Sequence, residues 1–509
     1  MLFLASRILE HLVDEETRLL LLEKLQEEKW IPLIRSTRLG CYQQALLSSN
    51  RVIEMERAIA ASTTLEDHAA YIRGDIFCLD DHIFFLVFGD RESAFKGTRA
   101  GIIYEPQTTE PLRKLDAFCQ KVSECLTQSK TENVSSSEES MQELKRWMPW
   151  HPDAERGFMR FVTRQDVDVL YTVVRKETAR ERVRAAELLE SAYTRSFLRN
   201  ARVAYAEGYA ARMLADSGSA PADFSINKLV EVGLLRREVL VSCRETGHAL
   251  LGLPSPDALA VITVSDATCS ECGANISNEK VEEVVAPTHL ASALLDDAAW
   301  LVNRFHSILR HLGIPESEIA IEPPTGDGEA YMMSNVCGEP FLFVLRDGDL
   351  TPAFARRAVD MQIETESTHL VIVATGTIHN ESRTHLLNYA NRLARGGREF
   401  NLMILDGAGA SEAALKSAFE RVSQKVMAEQ LCELDASLGF SVTRLITARF
   451  ELLHKSEDNQ PLAFLPPAAA TPPASSLQND EHLLPLIDLT FPDMKDENEA
   501  ANLSASSKS

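Results

Sequence analysis

The hydrophobic pattern is most regular within residues 319–406. Three short runs there, residues 341–345, 370–373 and 401–405, consist almost entirely of apolar side chains. Strands that are buried on both faces have this pattern, because neither face needs a polar side chain. With their flanking residues, the runs predict strands at residues 329–335, 340–346, 369–375 and 399–406.

Helix-start and helix-stop signals separate the later strands. Thr351-Pro352 combines an N-cap residue with a proline, which is tolerated at the first position of a helix. Gly396-Gly397 is a helix-stop signal, because glycine adopts the left-handed conformation that ends many helices. The alternation of strands and helices predicts a small α/β core.

Weaker patterns predict the other elements. Leucines at helical spacing predict a helix at residues 11–29, and the sequence on either side of Asp80-Asp81 predicts a hairpin of residues 75–79 and 82–88. The expected fold class is multidomain α/β and α+β, with mainly helical N-terminal and middle regions. Further helices are predicted at residues 178–214, 279–284, 290–312 and 410–438.

The composition is that of a soluble globular protein. The chain has 509 residues, of which 45% are hydrophobic and 25% charged, and it is too long for a single ordinary core. No apolar run approaches the roughly 20 residues that cross a bilayer, and residues 1–5 lack the basic flank of a signal peptide. Nine cysteines spread over this length are typical of a reducing compartment. We therefore expect a cytoplasmic protein without a membrane partner.

The net charge limits how the chain could bind nucleic acid. A formal charge of −23 repels polyanions at long range, so any contact with DNA needs a local basic face. Arg195, Arg199 and Arg202 follow one another at i, i+4 and i+7 and could form a phosphate-binding ridge on the predicted helix. Interleaved acids such as Glu187 and Glu190 support the alternative of a solvated helix with internal ion pairs.

A helix, a glycine and a hairpin are predicted in residues 225–253. The helix ends at Gly233, and the segment Leu229-Val-Glu-Val-Gly-Leu-Leu-Arg-Arg237 leads into the hairpin. This order resembles a winged-helix module, a class that binds DNA or docks on proteins. The resemblance implies DNA contacts by Lys228 on the helix and Arg244 on the wing.

Cys269-Ser-Glu-Cys272-Gly is half of a metal knuckle. Two cysteines separated by two residues and closed by glycine can direct both sulfur atoms at one ion. A closed zinc site needs four ligands, and Cys243 and His248 are the nearest candidates for the other two. The predicted cofactor is a structural zinc; the alternative is that the cysteines are free buried thiols.

The predicted order of elements in the C-terminal part resembles the restriction-endonuclease-like fold of the PD-(D/E)xK nucleases. In that family an acid on the second strand and an acid-x-lysine on the third hold Mg²⁺. Here Met332, or Tyr331 with a shift of one residue, matches the first acid. Val344 matches the second acid and Arg346 the lysine. Because neither methionine nor valine ligates a hard cation, the resemblance implies a degenerate site with no catalytic residue.

An alternative keeps the enzyme active with relocated acids. Glu329, Asp347, Asp349 and Glu339 are close in the predicted hairpin and could bind Mg²⁺ while Arg346 contacts the phosphate. The other explanation is that these acids solvate the hairpin turns. Mg²⁺ is expected as a cofactor only in the active alternative, which would be a metal-dependent DNA endonuclease.

The function that the sequence predicts is a non-catalytic, DNA-associated scaffold or sensor. The resemblance to nucleases implies a role in bacterial defence or in a mobile element. The alternatives are the active endonuclease and a protein-interaction adaptor without nucleic-acid binding. A protein partner is expected, and the apolar segment 482–491 could dock on it. The predicted regions are an α+β domain (1–127), a linker (128–145), a basic helical region (146–216), a winged-helix-like module (217–288), a nuclease-like domain (289–454) and a disordered acidic tail (455–509).

Overall fold

A computed structural model places residues Met1–Glu451 in one compact unit and Leu452–Ser509 in a second. The predicted domain boundaries inside the first unit stay predictions. The predicted docking segment 482–491 lies outside the described residues, as do most of the predicted linker and tail. The structure describes residues 1–10, 12–45, 51–62, 72–89, 97–131, 146–149, 157–159, 161–162, 179–206, 221, 224–245, 249–254, 258, 268–273, 275, 280–322, 328–409 and 411–458.

A five-stranded antiparallel sheet organises the N-terminal part. Its strands are β1 (Phe3–Leu9), β2 (Gly74–Cys78), β3 (His82–Phe88), β4 (Thr98–Tyr104) and β5 (Met148–Pro149), in the order β2-β3-β4-β1-β5. The predicted hairpin is confirmed as β2 and β3, whose residues pair directly. Strands β1 and β4, which pair along seven residues, were not predicted, although helices cover more of the described N-terminal residues than strands do.

Four helices accompany this sheet. They are α1 (Glu15–Glu27), α2 (Leu33–Ala45), α3 (Val52–Ser62) and α4 (Pro111–Thr131). Helix α1 begins later than predicted, because Asp14 is the N-cap and its carboxylate accepts a hydrogen bond from the Thr17 N–H, 2.8 Å away. Helix α4 continues to Thr131, so the first residues assigned to the linker are helical.

Two predicted helices of the middle region were wrong. The helix expected at 178–214 is two helices, α5 (Ala179–Leu188) and α6 (Ala192–Ala206), because the chain turns at Leu189–Ser191 and the Arg195 guanidinium binds the carbonyls of Leu189 and Glu190. Residues 280–284, expected to be helical, lie in strand β8 (Lys280–Pro287), because all eight residues pair with β6 (Leu235–Ser242).

The rest of the middle region follows the predicted order. Helix α7 (Ile226–Glu231) ends at Gly233, whose φ of +76° is the left-handed conformation that glycine allows. Strands β6 and β7 (Ala249–Leu253) then form the predicted hairpin, and β8 completes a three-stranded sheet in the order β7-β6-β8.

The C-terminal part contains a second five-stranded sheet, in the order β13-β12-β11-β10-β9. β9, β10 and β11 are antiparallel neighbours, whereas β11, β12 and β13 run parallel. The four predicted strands are confirmed as β10 to β13. The elements are α8 (His289–Leu295), α9 (Ala299–His311), β9 (Ile319–Ile321), β10 (Glu329–Val336), β11 (Glu339–Arg346), α10 (Pro352–Thr365), β12 (His369–Ala374), α11 (Asn380–Arg395), β13 (Asn401–Asp406), α12 (Ser411–Leu438) and α13 (Val442–Asp458).

The predicted helix boundaries around this sheet are mostly confirmed. Pro352 is the first residue of α10, although the Thr351 side chain makes no capping hydrogen bond. Helix α11 ends at Gly396, and Gly397 has a φ of +73°. The helix expected at 290–312 is divided into α8 and α9, because Asp297 and Ala298 adopt left-handed backbone conformations between them.

Both faces of strands β10, β11 and β12 are buried, whereas the edge strand β13 is half-buried with exposed ends. One face packs in a cluster that includes Phe343 and Val371 and also reaches Phe84 of the N-terminal sheet. The other face, with Val344 and Ile372, forms a separate cluster with α10 and α11 residues such as Ala358. This two-sided burial explains the uniformly apolar runs of the sequence. Among the described helices, none has both the length and the apolar character needed to cross a membrane.

Candidate metal centre and the acidic residues of the C-terminal sheet

Three of the four predicted metal ligands lie together. Cys243 follows the last residue of β6, and Cys269 and Cys272 belong to a turn that the Gly273 N–H closes by donating to the Cys269 carbonyl over 2.9 Å. Gly273 has a φ of +76°, which suits glycine at this position. The three sulfur atoms lie within 4.8 Å of one another, and the Sγ atoms of Cys243 and Cys272 are 3.4 Å apart.

This cluster could hold a metal such as zinc. Thiolates around a tetrahedral zinc, at Zn–S distances of about 2.3 Å, lie about 3.8 Å from one another, which is close to the spacing found here. Cys243 and Cys269 are buried and Cys272 is half-buried, so the sulfur atoms are shielded on most sides. His248, the predicted fourth ligand, lies outside the described residues.

Asp347, a candidate catalytic acid, is surrounded by hydrogen-bond donors. Its side chain, directly after β11, is only 4% exposed. Oδ1 accepts a hydrogen bond from the Thr375 hydroxyl at 2.8 Å and lies 3.3 Å from Nε of Arg195. Oδ2 accepts hydrogen bonds from Arg199 at 2.5 Å and from the Trp300 indole at 2.9 Å. A carboxylate with these four contacts has little capacity left for a metal ion.

Glu329, the other candidate acid, is also neutralised within the protein. It is 2% exposed, and its two oxygens lie 3.0 and 3.1 Å from the guanidinium of Arg357, which binds it in bidentate fashion. The Tyr331 hydroxyl donates a third hydrogen bond at 2.8 Å. Burial and the Glu329 charge raise the pKa of Tyr331, so the phenol keeps its proton and remains a donor.

Glu339 lies at the other end of the hairpin from Glu329 and Asp347, and those two acids are bound by different cations, Arg357 and Arg195. Glu329 pairs with Arg346 at one end of the hairpin and Glu339 pairs with Val336 at the other. Seven strand steps separate these ends, a distance of roughly 23 Å. Asp349 accepts a hydrogen bond from the Thr377 N–H at 2.6 Å, so it stabilises a loop.

The strand register also settles which residue faces Val344. Tyr331 lies directly opposite Val344, and both side chains belong to the same buried cluster. Met332 points to the other face of the sheet. Arg346 lies over the ring of Phe354, with its Cζ atom 3.6 Å from the ring centroid. The positions matched to the metal-binding acids are therefore filled by a phenol and an isopropyl group.

The predicted phosphate-binding ridge is mostly engaged within the protein. Arg195 is 5% exposed and lies over the Trp300 ring as well as beside Asp347. Arg199 is bound to Asp347, and Arg202 to Asp296 at 2.7 Å. The other predicted DNA contacts, Lys228 and Arg244, are exposed.

Sequence reasoning missed the residues that surround the two acids. Trp300 was predicted only as part of an apolar helix face, and Thr375 only as the end of a strand. Tyr331 and Arg357 were not predicted as partners of Glu329. Tyr331 lies two positions after Glu329 in a strand, which places both side chains on one face and is the only local signal. The contacts between Asp347 and Arg195 join residues far apart in sequence, and no local pattern predicts them.

Comparison with known proteins yields no relative. The chain matches no family model, no curated protein and no solved structure. The resemblance to nucleases therefore depends on the order of the elements, and the candidate sites depend on the geometry of their own residues.

Proposed function

We propose that this chain is a non-catalytic scaffold protein, with a restriction-endonuclease-like sheet that has lost its cation site and a middle module that zinc stabilises. The order of elements supports the first part. Helix α9 precedes the antiparallel strands β9, β10 and β11, and a helix then leads to β12, parallel to β11. This is the order that the resemblance implies. Since a fold can host many functions, the residues at the site decide between an enzyme and a scaffold.

The observation that carries the proposal is the environment of Asp347. Two guanidinium groups, an indole and a hydroxyl contact Asp347, the residue directly after the third antiparallel strand. Cation binding would require breaking a buried ion pair and leaving Arg195 without its counter-charge, which costs about 3–5 kcal/mol. Arg346, in the position of the family's lysine, stays protonated and cannot accept a proton from water.

The same contacts favour a protein partner over DNA. Arg195 and Arg199 neutralise Asp347, so the strongest basic feature of the sequence stabilises the fold. The net charge of −23 opposes long-range attraction to DNA. A DNA-linked role would depend on Lys228 and Arg244, two exposed cations whose phosphate contacts would weaken steeply as salt is raised.

A cleavage assay tests the absence of catalysis. The full-length chain is incubated with Mg²⁺ or Mn²⁺ and with single-stranded, linear and supercoiled DNA, and we expect no cleavage above that of the Glu329→Ala and Asp347→Ala variants. Asp349→Ala is the matched control. Metal-dependent cleavage that disappears in Glu329→Ala and persists in Asp349→Ala would overturn the proposal.

A binding titration tests the preference for protein. Fluorescence anisotropy with labelled duplex DNA at rising salt should give only weak binding that is lost near physiological ionic strength. Tight binding that Lys228→Glu weakens would instead support the DNA-associated scaffold.

For the metal, we propose structural zinc bound by Cys243, Cys269 and Cys272. Zinc accepts thiolate ligands in this spacing, and the cluster connects the end of β6 to a turn that is distant in sequence. Binding there would hold the turn against the three-stranded sheet and so stabilise the folded module.

Metal analysis tests this assignment. The purified chain should contain about one zinc, and Co²⁺ substitution should give thiolate-to-cobalt charge-transfer absorption. Cys269→Ser should lose both, whereas Cys41→Ser, which changes an exposed cysteine on α2, should retain them. Retention of zinc by Cys269→Ser would contradict the assignment.

A further inference from the structure

A pocket lies at the opposite end of the C-terminal sheet from Asp347. It encloses about 250 Å³ between α12 and the first residues of β11, β12 and β13. Its polar side chains converge from four elements and play no part in the proposed scaffold. They are Glu339, Thr368, His369, Glu399, Asn401, Arg421 and Lys425.

His369 is the most unusual residue of this pocket. It is 6% exposed, and its ring stacks in parallel on Phe341 with the ring centroids 4.0 Å apart. Within the described part of the chain no group hydrogen-bonds to its ring, and its nearest ionic group is Glu339, with Oε2 lying 3.8 Å from Nε2. Burial lowers the pKa of His369 to about 4, so the ring is neutral and one nitrogen is an acceptor. His369 lines the pocket, so its acceptor nitrogen is available to a ligand there.

Glu339 can accept further hydrogen bonds from a ligand in the pocket. The Thr368 hydroxyl donates to its Oε2 at 2.7 Å, and no other hydrogen-bond donor reaches the carboxylate from the residues that the structure describes. The 3.8 Å gap between Oε2 and Nε2 is too long for a direct hydrogen bond. It is within reach of two N–H donors on one ammonium group.

Cations line the other side of the pocket. Arg421 and Lys425 lie one turn apart on α12, so both side chains project from the same helix face. Lys425 is paired with Glu399, whereas Arg421 is exposed and has no ion pair with any residue that the structure describes. The floor between the two sides is apolar and includes Phe341, Leu402 and Val422.

We propose that this pocket binds a free α-amino acid with an apolar side chain. Its ammonium group would donate to Glu339 and His369, its carboxylate would accept from Arg421, and its side chain would pack on the apolar floor. The volume agrees with a ligand of this size, because pockets for drug-sized molecules enclose about 300–1,000 Å³. The proposal is independent of the scaffold role and of the zinc site.

Calorimetric titration of the full-length chain tests the proposal without any mutation. The probes are L-leucine, isoamylamine, which lacks the carboxylate, and 4-methylpentanoate, which lacks the ammonium group. Leucine should bind at least about tenfold more tightly than either analogue, because each charged group adds charge-assisted hydrogen bonds. No detectable binding of leucine, or equal binding of one analogue, would overturn the proposal.

Two variants assign the two charged groups. Glu339→Gln should weaken leucine binding about tenfold or more and leave 4-methylpentanoate unaffected, whereas Arg421→Gln should weaken leucine and leave isoamylamine unaffected. Glu316→Gln and Arg444→Gln change exposed residues outside the pocket and should bind leucine as the unchanged protein does. Equal losses in the variants and their controls would contradict the assignment.

Discussion

Each end of strand β11 has a carboxylate, and the two carboxylates differ in how many groups of the protein bind them. At the carboxyl end, four donors surround Asp347: two arginines of α6, Trp300 of α9, and Thr375, which directly follows β12. At the amino end, Glu339 accepts from the Thr368 hydroxyl and lies 3.8 Å from the His369 ring, to which no described residue hydrogen-bonds. We call the carboxyl end the closed end, because protein groups bind both oxygens of Asp347. The amino end is the open end, because Glu339 and His369 line a pocket.

This difference distinguishes a charge that stabilises the fold, whose hydrogen bonds are all made within the protein, from a group that can still bind a ligand. A buried carboxylate stabilises the fold only when its charge and its lone pairs are matched. Asp347 meets both conditions through its contacts with Arg195, Arg199, Trp300 and Thr375, so it is matched within the fold. Glu339 and His369 do not, and the structure tolerates this because the pocket opens toward solvent.

The largest loss of stability is expected when the ion pair at the closed end, between Asp347 and Arg195, is removed. Asp347→Ala should lower the free energy of unfolding by about 3–5 kcal/mol, because it leaves Arg195 buried without its counter-charge. Urea unfolding followed by circular dichroism measures the change. Asp349→Ala, which removes one hydrogen bond at an exposed position, should cost about 1 kcal/mol or less. Similar losses in both variants would show that the closed end is not a strong ion cluster.

At the open end, the neutral His369 should make the free energy of unfolding depend on pH. The pKa of His369 is about 4 in the folded protein and 6.5 in its ordinary state, so the unfolded chain binds the proton more tightly. Stability should therefore fall as the pH is lowered from about 6.5 to about 4, by about 1–3 kcal/mol from this residue. Glu339 and Glu399 oppose the shift and Lys425 strengthens it.

A pair of variants isolates this contribution from the other titrating groups. Asp75, for example, has a pKa raised by burial to about 6 and changes stability in the opposite direction. His369→Asn should flatten the slope of stability between pH 6.5 and 4, whereas His379→Asn, at an exposed position, should leave the slope unchanged. An unchanged slope in His369→Asn would show that the open end does not hold a neutral imidazole.

The smallest effect should come from the exposed part of the closed end. Arg199 binds the same carboxylate as Arg195, but its side chain is 46% exposed. Arg199→Gln should therefore cost about 0–1 kcal/mol in urea unfolding, because solvent screens exposed ion pairs and Arg195 still neutralises Asp347. A loss as large as that of Asp347→Ala would indicate that both arginines are needed to close this end.

The predictable parts of this protein are those that depend on neighbouring residues. The apolar runs predicted strands β11, β12 and β13, and Gly233 and Gly397 both end helices in the structure. Residues 280–284 were misassigned, because a half-polar segment becomes a strand only when another strand, here β6, is available to pair with it.

In the candidate sites, too, the sequence predicted local spacing and could not predict contacts between distant residues. The spacing of Cys269 and Cys272 predicted half of a metal site, with Cys243 as a candidate third ligand, and the structure brings these three sulfur atoms together. The arginines of α6 had the spacing of a phosphate-binding ridge, but spacing describes only one helix. It could not show that Asp347 lies under that helix and binds Arg195 and Arg199.

The sequence by itself determined where the strands β10 to β13 and the helices between them form, because burial pattern and backbone preference are properties of nearby residues. Only the tertiary structure decided what the charged residues do. The strength of a charge interaction depends on burial and on partners that can be far away in the chain, as they are for Asp347 and Arg195. The same physics left His369 and Glu339 facing a pocket at the other end of the sheet.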